Sequence, residues 1–288
     1  MGATMLGLLA VPACGQSTAH KQAPVFETDP TRLVGCGYDR NADLLDPSVV
    51  ARRLKAAHFN ATSVGLFGHD SADPRDLAAV RRWLAQWLAA MRAQEIVTVV
   101  TITGTGGPDG GLSRAEFCDE WFRGCIDLLV SLGTTGVIVC PVAEGCIKEG
   151  ASEPTRSKIL RWYKITEARW PGMKGWNFQP RPSADDVPSG WIGIVHPQSR
   201  NDGYPGCLIL TDAPMRPRYK TGRYPNETIV APELTSLVRQ FRAAGNGFIE
   251  WGTWERAEID TVAIQAVGAA VLPLRQAQPP AGAKQGTK

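Results

Sequence analysis

Eight short apolar runs recur along this chain, and stretches with helical spacing separate most of them. That switching of hydrophobic period constrains the fold more than any other feature. Apolar runs of four to eight residues read as strands, and apolar positions three and four apart read as helices. The strand runs are RLVGCGYD (32–39), ATSVGLFG (61–68), EIVTVVTITG (95–104), GVIVCPVAEG (136–145), MKGWNFQ (173–179), GWIGIVHPQ (190–198), GCLILTDAP (206–214) and NGFIEWGTW (246–254). Helices are expected over 46–57, 73–94, 113–133, 152–170, 232–244 and 257–272. Pro47 suits the first turn of the first helix. Leu77, Val80, Leu84, Trp87, Leu88 and Met91 make an apolar stripe on the second. Ser113 and Glu116 have the spacing of a capping box for the third, which Gly133 closes.

Near-continuous apolar strands belong to a parallel sheet that is covered on both faces. Eight of them with mostly helical connections, in about 240 residues, match the count and length of an α/β (β/α)8 barrel. Connections around strands five to seven are short, so irregular or short helices are expected there. The alternative is an open doubly wound sheet, which carries a glycine-rich fingerprint between its first strand and first helix. GCGYDRNADLLD supplies two glycines and places Asp39 in the turn, so the barrel is preferred. It is expected as a single domain over 32–275, with a disordered tail over 276–288, QAQPPAGAKQGTK.

Residues 1–31 are expected to lie outside the barrel as a signal and linker. Met5 to Val11 form an apolar segment too short to span a bilayer. It leads into Val11-Pro12-Ala13-Cys14, which resembles a bacterial lipoprotein signal with Cys14 as the lipid-bearing residue. No Lys or Arg precedes the run, and Pro12 is unusual in such a signal. The expectation is an exported, lipid-anchored protein. If the segment is no signal, a cytoplasmic or virion-associated protein is expected instead.

A net charge of +3, with arginines scattered over helices, excludes an electrostatic nucleic-acid surface. Seven cysteines occur without a CxxC, so cysteine does not organise the fold. Histidines number four and form no HxH or HExxH. A metal site would have to come from His69, His196 and Asp212, and no metal or other cofactor is expected. There is no GxSxG turn for a serine hydrolase. GTGGPDGG (104–111) lacks the Lys-Ser/Thr of a phosphate loop.

Barrels of this type work at the C-terminal ends of their strands. Polar residues collect there: Asp39 after the first run, His69 after the second, Thr101 and Thr103 in the third and Glu144 after the fourth. Trp176 and Asn177 follow in the fifth, His196 in the sixth, Asp212 in the seventh, and Glu250, Trp251 and Trp254 in the eighth. A carboxylate such as Glu144 at the edge of an apolar run is costly unless it is solvated, paired or used. One alternative is structural ion pairing, for instance with Arg40 or Lys148. A strand-end histidine such as His196 is also often a structural hydrogen-bonding group. The functional alternative is sugar cleavage. That chemistry needs one carboxyl to protonate the leaving oxygen, and a second to attack the anomeric carbon or activate water. Trp176, Trp251 and Trp254 would then be stacking platforms, with Asp39, His69, Asn177 and His196 binding hydroxyls. Trp83, Trp87, Trp121 and Trp162 fall on helices and are expected to pack.

The layout resembles the superfamily of (β/α)8-barrel glycoside hydrolases, in their retaining form with one carboxylate after strand four and another after strand seven. GVIVCPVAEG sits at the strand-four position and CLILTDAP at strand seven, and GFIEWGTW is similar to the aromatic eighth strand of those enzymes. The resemblance implies a carbohydrate substrate, with Glu144 as general acid/base and Asp212 as nucleophile or second carboxylate. Glu250 competes for the second role, since it too follows an apolar run. The family usually has Asn before its strand-four glutamate, where this chain has Ala143, and Glu at strand seven, where it has Asp212. The rival expectation is a non-catalytic barrel that binds a glycan or serves as a surface component.

Overall fold

The computed structural model describes residues 24–38, 45–66, 76–104, 117–143, 153–177, 187–195, 206–211, 236, 239–241 and 243–250. Eight parallel strands close into a barrel in chain order. They are β1 (Val34–Gly37), β2 (Ala61–Gly65), β3 (Val97–Gly104), β4 (Val137–Ala143), β5 (Met173–Trp176), β6 (Trp191–Val195), β7 (Leu208–Thr211) and β8 (Gly247–Glu250). The seam is closed by β8 against β1, with Val34 opposite Phe248 and Cys36 opposite Glu250. Four helices cross between the first five strands: α1 (Pro47–Ala56), α2 (Leu77–Ala93), α3 (Asp119–Leu132) and α4 (Glu153–Arg169). The (β/α)8 architecture expected from the sequence is therefore the fold. Among the described residues, no helix is long and apolar enough to cross a membrane.

Local chemistry accounts for the helix boundaries. Asp46 caps α1 by accepting from the Ser48 and Val49 N–H groups at 2.8 and 3.2 Å, and Pro47 follows where no N–H is needed. Asp76 caps α2 in the same way, through Ala78 and Ala79. The start of α3 differs from the expectation. It begins at Asp119 with Cys118 as its cap, and the Ser113–Glu116 pair falls outside the described residues. Phe117 is buried and packs edge-on against Trp121, which ties down the backbone just before the helix. Asp119 and Glu120 then complement the positive end of the helix. Gly133, at φ 90°, ends it as expected.

Two asparagines stitch the strand starts together. The Asn60 side-chain oxygen, just before β2, accepts from the Val34 N–H of β1. The Asn246 oxygen, just before β8, accepts from the Cys207 N–H ahead of β7. Both asparagines are buried, and each satisfies a backbone donor at the point where a ladder begins.

Side chains alternate between two cores. An outer core lies between strands and helices and contains Val64, Trp87, Leu88, Phe122, Val139, Trp162 and Phe248. Trp87 and Trp162 are fully buried in it, as helical spacing predicts. An inner core fills the barrel with Leu33, Ala61, Val97, Val99, Ile138, Cys140, Ile194, Leu208, Leu210 and Ile249. Phe26 packs against the inner core from the N-terminal end of the strands. Residues 24–33 are thus part of the folded body, which moves the start of the domain back from residue 32. A short 3-10 turn, Pro30–Arg32, capped by Asp29, leads from this floor into β1. The expected helix over 257–272, the tail and Cys14 lie outside the described residues.

Candidate functional site at the C-terminal end of the barrel

The barrel interior changes character along the strands. Near the strand starts it is aliphatic, with Leu33, Ala61, Val97 and Ile138. Alternation then brings small and polar residues inward. Ala61 faces the inner core while Val64 and Leu66 face the outer one, so Ser63 and Gly65 share the inward side. Val97 and Val99 face inward while Val100 and Ile102 face outward, so Thr101 and Thr103 continue the inward row. Gly37 pairs with Ser63, and Gly65 with Thr101, which leaves side-chain space on the β1–β2 side.

The fifth strand reaches the same end of the barrel. A Cβ on Gly175 would meet Ile194 and Cys140 of the inner core, so position 175 faces inward. Trp176 therefore faces outward. Its ring lies 4.5 Å from that of Tyr163 on α4 and 5.7 Å from that of Trp191. This corrects the expectation of a stacking platform at Trp176, whose indole belongs to the sheet–helix layer. The next residue, Asn177, returns to the inward side and is fully buried. Its backbone N–H donates to the Tyr163 hydroxyl at 3.0 Å, which fixes the chain where β5 ends.

Three of these polar residues have no hydrogen-bond partner among the described residues. They are Ser63 through its hydroxyl, Thr103 through its hydroxyl, and Asn177 through both ends of its amide. Burying such groups unpaired costs about 1–3 kcal/mol each. Buried polar groups are nearly always paired in native proteins, with protein or with ordered water. No charged residue stands among the described inward positions. Among the described residues, no group of three His, Cys, Asp or Glu side chains is arranged to hold a metal ion.

The remaining expected site residues flank this floor in the chain. Glu144 directly follows β4 and Asp212 directly follows β7, and both lie outside the described residues. So do Asp39, His69, His196, Trp251 and Trp254. Glu250 is the last residue of β8, in register with Thr211 and Cys36, and its side chain is outside the described set. Reading the ends of the strand runs overlooked Ser63, which lies inside one. Its signal was the alternation in ATSVG, where a serine stands between two inward small residues.

No protein-family model matches the chain, and no curated protein matches it in sequence. Solved structures do match in shape. A family 5 xyloglucanase from Paenibacillus pabuli, solved in complex with ligand, superposes with a TM-score of 0.56 at 10% identity, covering 87% of this chain and 100% of its own. Cel5A of Thermotoga maritima, solved as a mutant form with cellobiose substrate, gives 0.53 at 12% identity, covering 84% of this chain and 98% of its own. Cellulose synthase subunit Z from Clostridioides difficile gives 0.55 at 10% identity, covering 83% and 99%. At such identities the likeness is one of fold: this chain has the (β/α)8 barrel found in glycoside hydrolases of family 5.

Proposed function

We propose that the protein is a glycoside hydrolase acting on a poly- or oligosaccharide, with Glu144 as the general acid/base and Asp212 as the second carboxylate. The observation that carries this proposal is the group of polar residues on β2, β3 and just after β5, at the barrel end where β4 leads into Glu144 and β7 into Asp212. Counting by twos from the last inward residues extends it. From Ile194 the count reaches His196, and from Leu210 it reaches Asp212. From Ile249 it reaches Trp251 and passes over Glu250. That parity favours Asp212 over Glu250 as the partner of Glu144, and Trp251 over Trp254 as a stacking face.

In this scheme Glu144 protonates the leaving oxygen. Asp212 attacks the anomeric carbon if the carboxyls stand about 5–5.5 Å apart, or activates water if they are about 6.5–9.5 Å apart. Asn177 and His196 bind hydroxyls.

A hydrolysis screen over a polysaccharide panel tests the proposal with wild type, Glu144→Gln, Asp212→Asn and Glu250→Gln. The first two substitutions are expected to lower the rate by about 10²–10⁴-fold, as loss of an acid or base does. Glu250→Gln should have a smaller effect. Wild-type cleavage that survives both Glu144→Gln and Asp212→Asn would refute the assignment. A non-catalytic glycan binder is the second reading, favoured by Ala143 where the family usually carries Asn. Binding without cleavage would select it.

A further inference from the structure

We infer that Asn246–Gly247, at the start of β8, is a site of spontaneous deamidation that the closed barrel suppresses. When the start of β8 parts from β7, the pair reacts with water to give aspartate or isoaspartate, and the ladder no longer recloses as before. This holds whether or not the barrel rim cleaves sugars.

The fold requires each of the two residues for its own reason. The Asn246 side-chain oxygen accepts from the Cys207 N–H at 3.2 Å, just ahead of β7. A Cβ on Gly247 would run into the Pro30 carbonyl oxygen and stand 3.0 Å from that of Leu33, so no larger residue fits. Together they make the only Asn-Gly step in the sequence. Such a step is chemically weak, because no side chain shields the nitrogen after the asparagine and the glycine backbone turns freely. The corresponding stitch at the start of β2 avoids the hazard. Asn60 accepts there from the Val34 N–H at 2.8 Å, but Ala61 follows it.

The reaction consumes only water. The Gly247 nitrogen loses its proton and attacks Asn246 Cγ. That N–C bond forms as the bond from Cγ to Nδ2 breaks, and ammonia leaves. Water then opens the cyclic imide at either carbonyl. One opening gives aspartate. The other gives isoaspartate, in which the main chain runs through the former side chain and is longer by a carbon. Loss of ammonia makes the change one-way.

In the closed barrel Cys207 holds both reacting groups. Its N–H binds the Asn246 oxygen, and its carbonyl accepts from the Gly247 N–H at 3.0 Å. The Asn246 N–H is held as well, by the Phe241 carbonyl at 2.9 Å. Electrophile and nucleophile are thus tied to a neighbouring strand rather than free to meet, and Asn246 is fully buried. Local opening of the strand start releases both Cys207 bonds. Either product then opposes closure. Aspartate places a charge where the amide had no solvent exposure. Isoaspartate shifts the residues that pair Gly247 with Leu208 and Phe248 with Val34.

The test follows ageing of the full chain at mildly alkaline pH, natively and in urea, with peptide mapping at Asn246 and at Asn60 as the reference. In urea Asn246 should convert faster than Asn60. In the native chain it should convert at least about tenfold more slowly than in urea, because reaction awaits opening. Asn246→Asp installs one product without ageing and should melt about 4 °C or more below wild type. Wild type aged in urea and returned to buffer reports on isoaspartate too, and does not depend on that variant folding. Its regained melting transition should shrink in step with conversion at Asn246. Native conversion as fast as that in urea would overturn the inference, as would an Asn246 no faster than Asn60 in urea. So would an Asn246→Asp chain that melts with wild type, or a transition that stays whole after conversion.

Discussion

Tyr163 shows how much one side chain decides at the end of a strand. Its hydroxyl takes the Asn177 N–H, and its ring fills the space against Trp176 and Trp191. Trp176 and Asn177 are adjacent in the sequence and both were expected to face the sugar, yet they point to opposite sides of the sheet. Composition could flag both residues, because each is a common sugar-binding type. It could not supply the phase of the alternation. That phase is set at Gly175, where any larger side chain would run into Ile194 and Cys140 from the neighbouring strands. Those contacts are distant in the chain and invisible to local pattern. Ser63 was overlooked for a different reason: it lies inside its run, where only the run ends were read, and it faces inward beside Gly37. At the level of residue type the inner floor was legible, and at the level of direction it was not.

At the scale of elements, α3 and α4 are held by two acidic residues that look alike and differ in environment. Asp119 accepts from the Arg161 guanidinium and from the Trp162 indole N–H, each at 2.9 Å, and Trp162 is fully buried. Asp127 pairs with Arg169 at 2.6 Å, with both side chains about half exposed. Truncating Asp119 leaves the Trp162 donor without its acceptor, so Asp119→Ala should cost about 1–3 kcal/mol. Truncating Asp127 removes only a screened surface pair, so Asp127→Ala should cost about 0.2–1 kcal/mol. Urea unfolding of the two variants checks the ranking, and equal losses would contradict it. The same site gives a pH dependence. Burial pulls the Asp119 carboxyl upward, but hydrogen bonds from Arg161 and Trp162 and the charges of Arg161 and Arg123 outweigh it and hold the group below its usual range. Its folded form therefore binds a proton less readily than its unfolded form. The contribution is full above the unfolded value, near 3.9, and is lost as pH falls through the lower folded value. Acid unfolding of Asp119→Asn should accordingly begin from a lower stability at neutral pH and depend less on pH below about 4. None of this was legible in the sequence. The expected start of α3, at Ser113, lies ahead of Asp119 and gave no reason to single out that residue as a first-turn acid facing α4.

For the whole molecule, closure was legible from the number of apolar runs, because eight parallel strands have no edges left once they meet. The closure of the N-terminal end was not legible, since PVFETDPTR reads as polar linker with a single aromatic. The structure turns that aromatic into a plug: Phe26 packs against the inner core and lies over Gly136 at the start of β4. A Cβ on Gly136 would stand 2.5 Å from the Phe26 ring, and the backbone there has φ 69°, which disfavours any other residue. Two separate costs are thus combined at one glycine, a clash and a strained dihedral. Phe26→Ala should lower stability by about 2–3 kcal/mol, less than a fully buried phenylalanine because its ring is only partly covered. Gly136→Ala should also destabilise, through both costs. In the double variant the clash disappears with the ring while the dihedral strain stays, so the combined loss should fall short of the sum by about 1 kcal/mol or more. Strict additivity would mean that the ring does not sit over the glycine. The plug and the polar floor occupy opposite ends of the strands, so Phe26→Ala should shift the melting temperature while leaving the KM for any cleaved sugar within about twofold of wild type. A large rise in KM would show that the two ends of the barrel are coupled through the inner core, and that the site depends on packing well below Thr103 and Asn177.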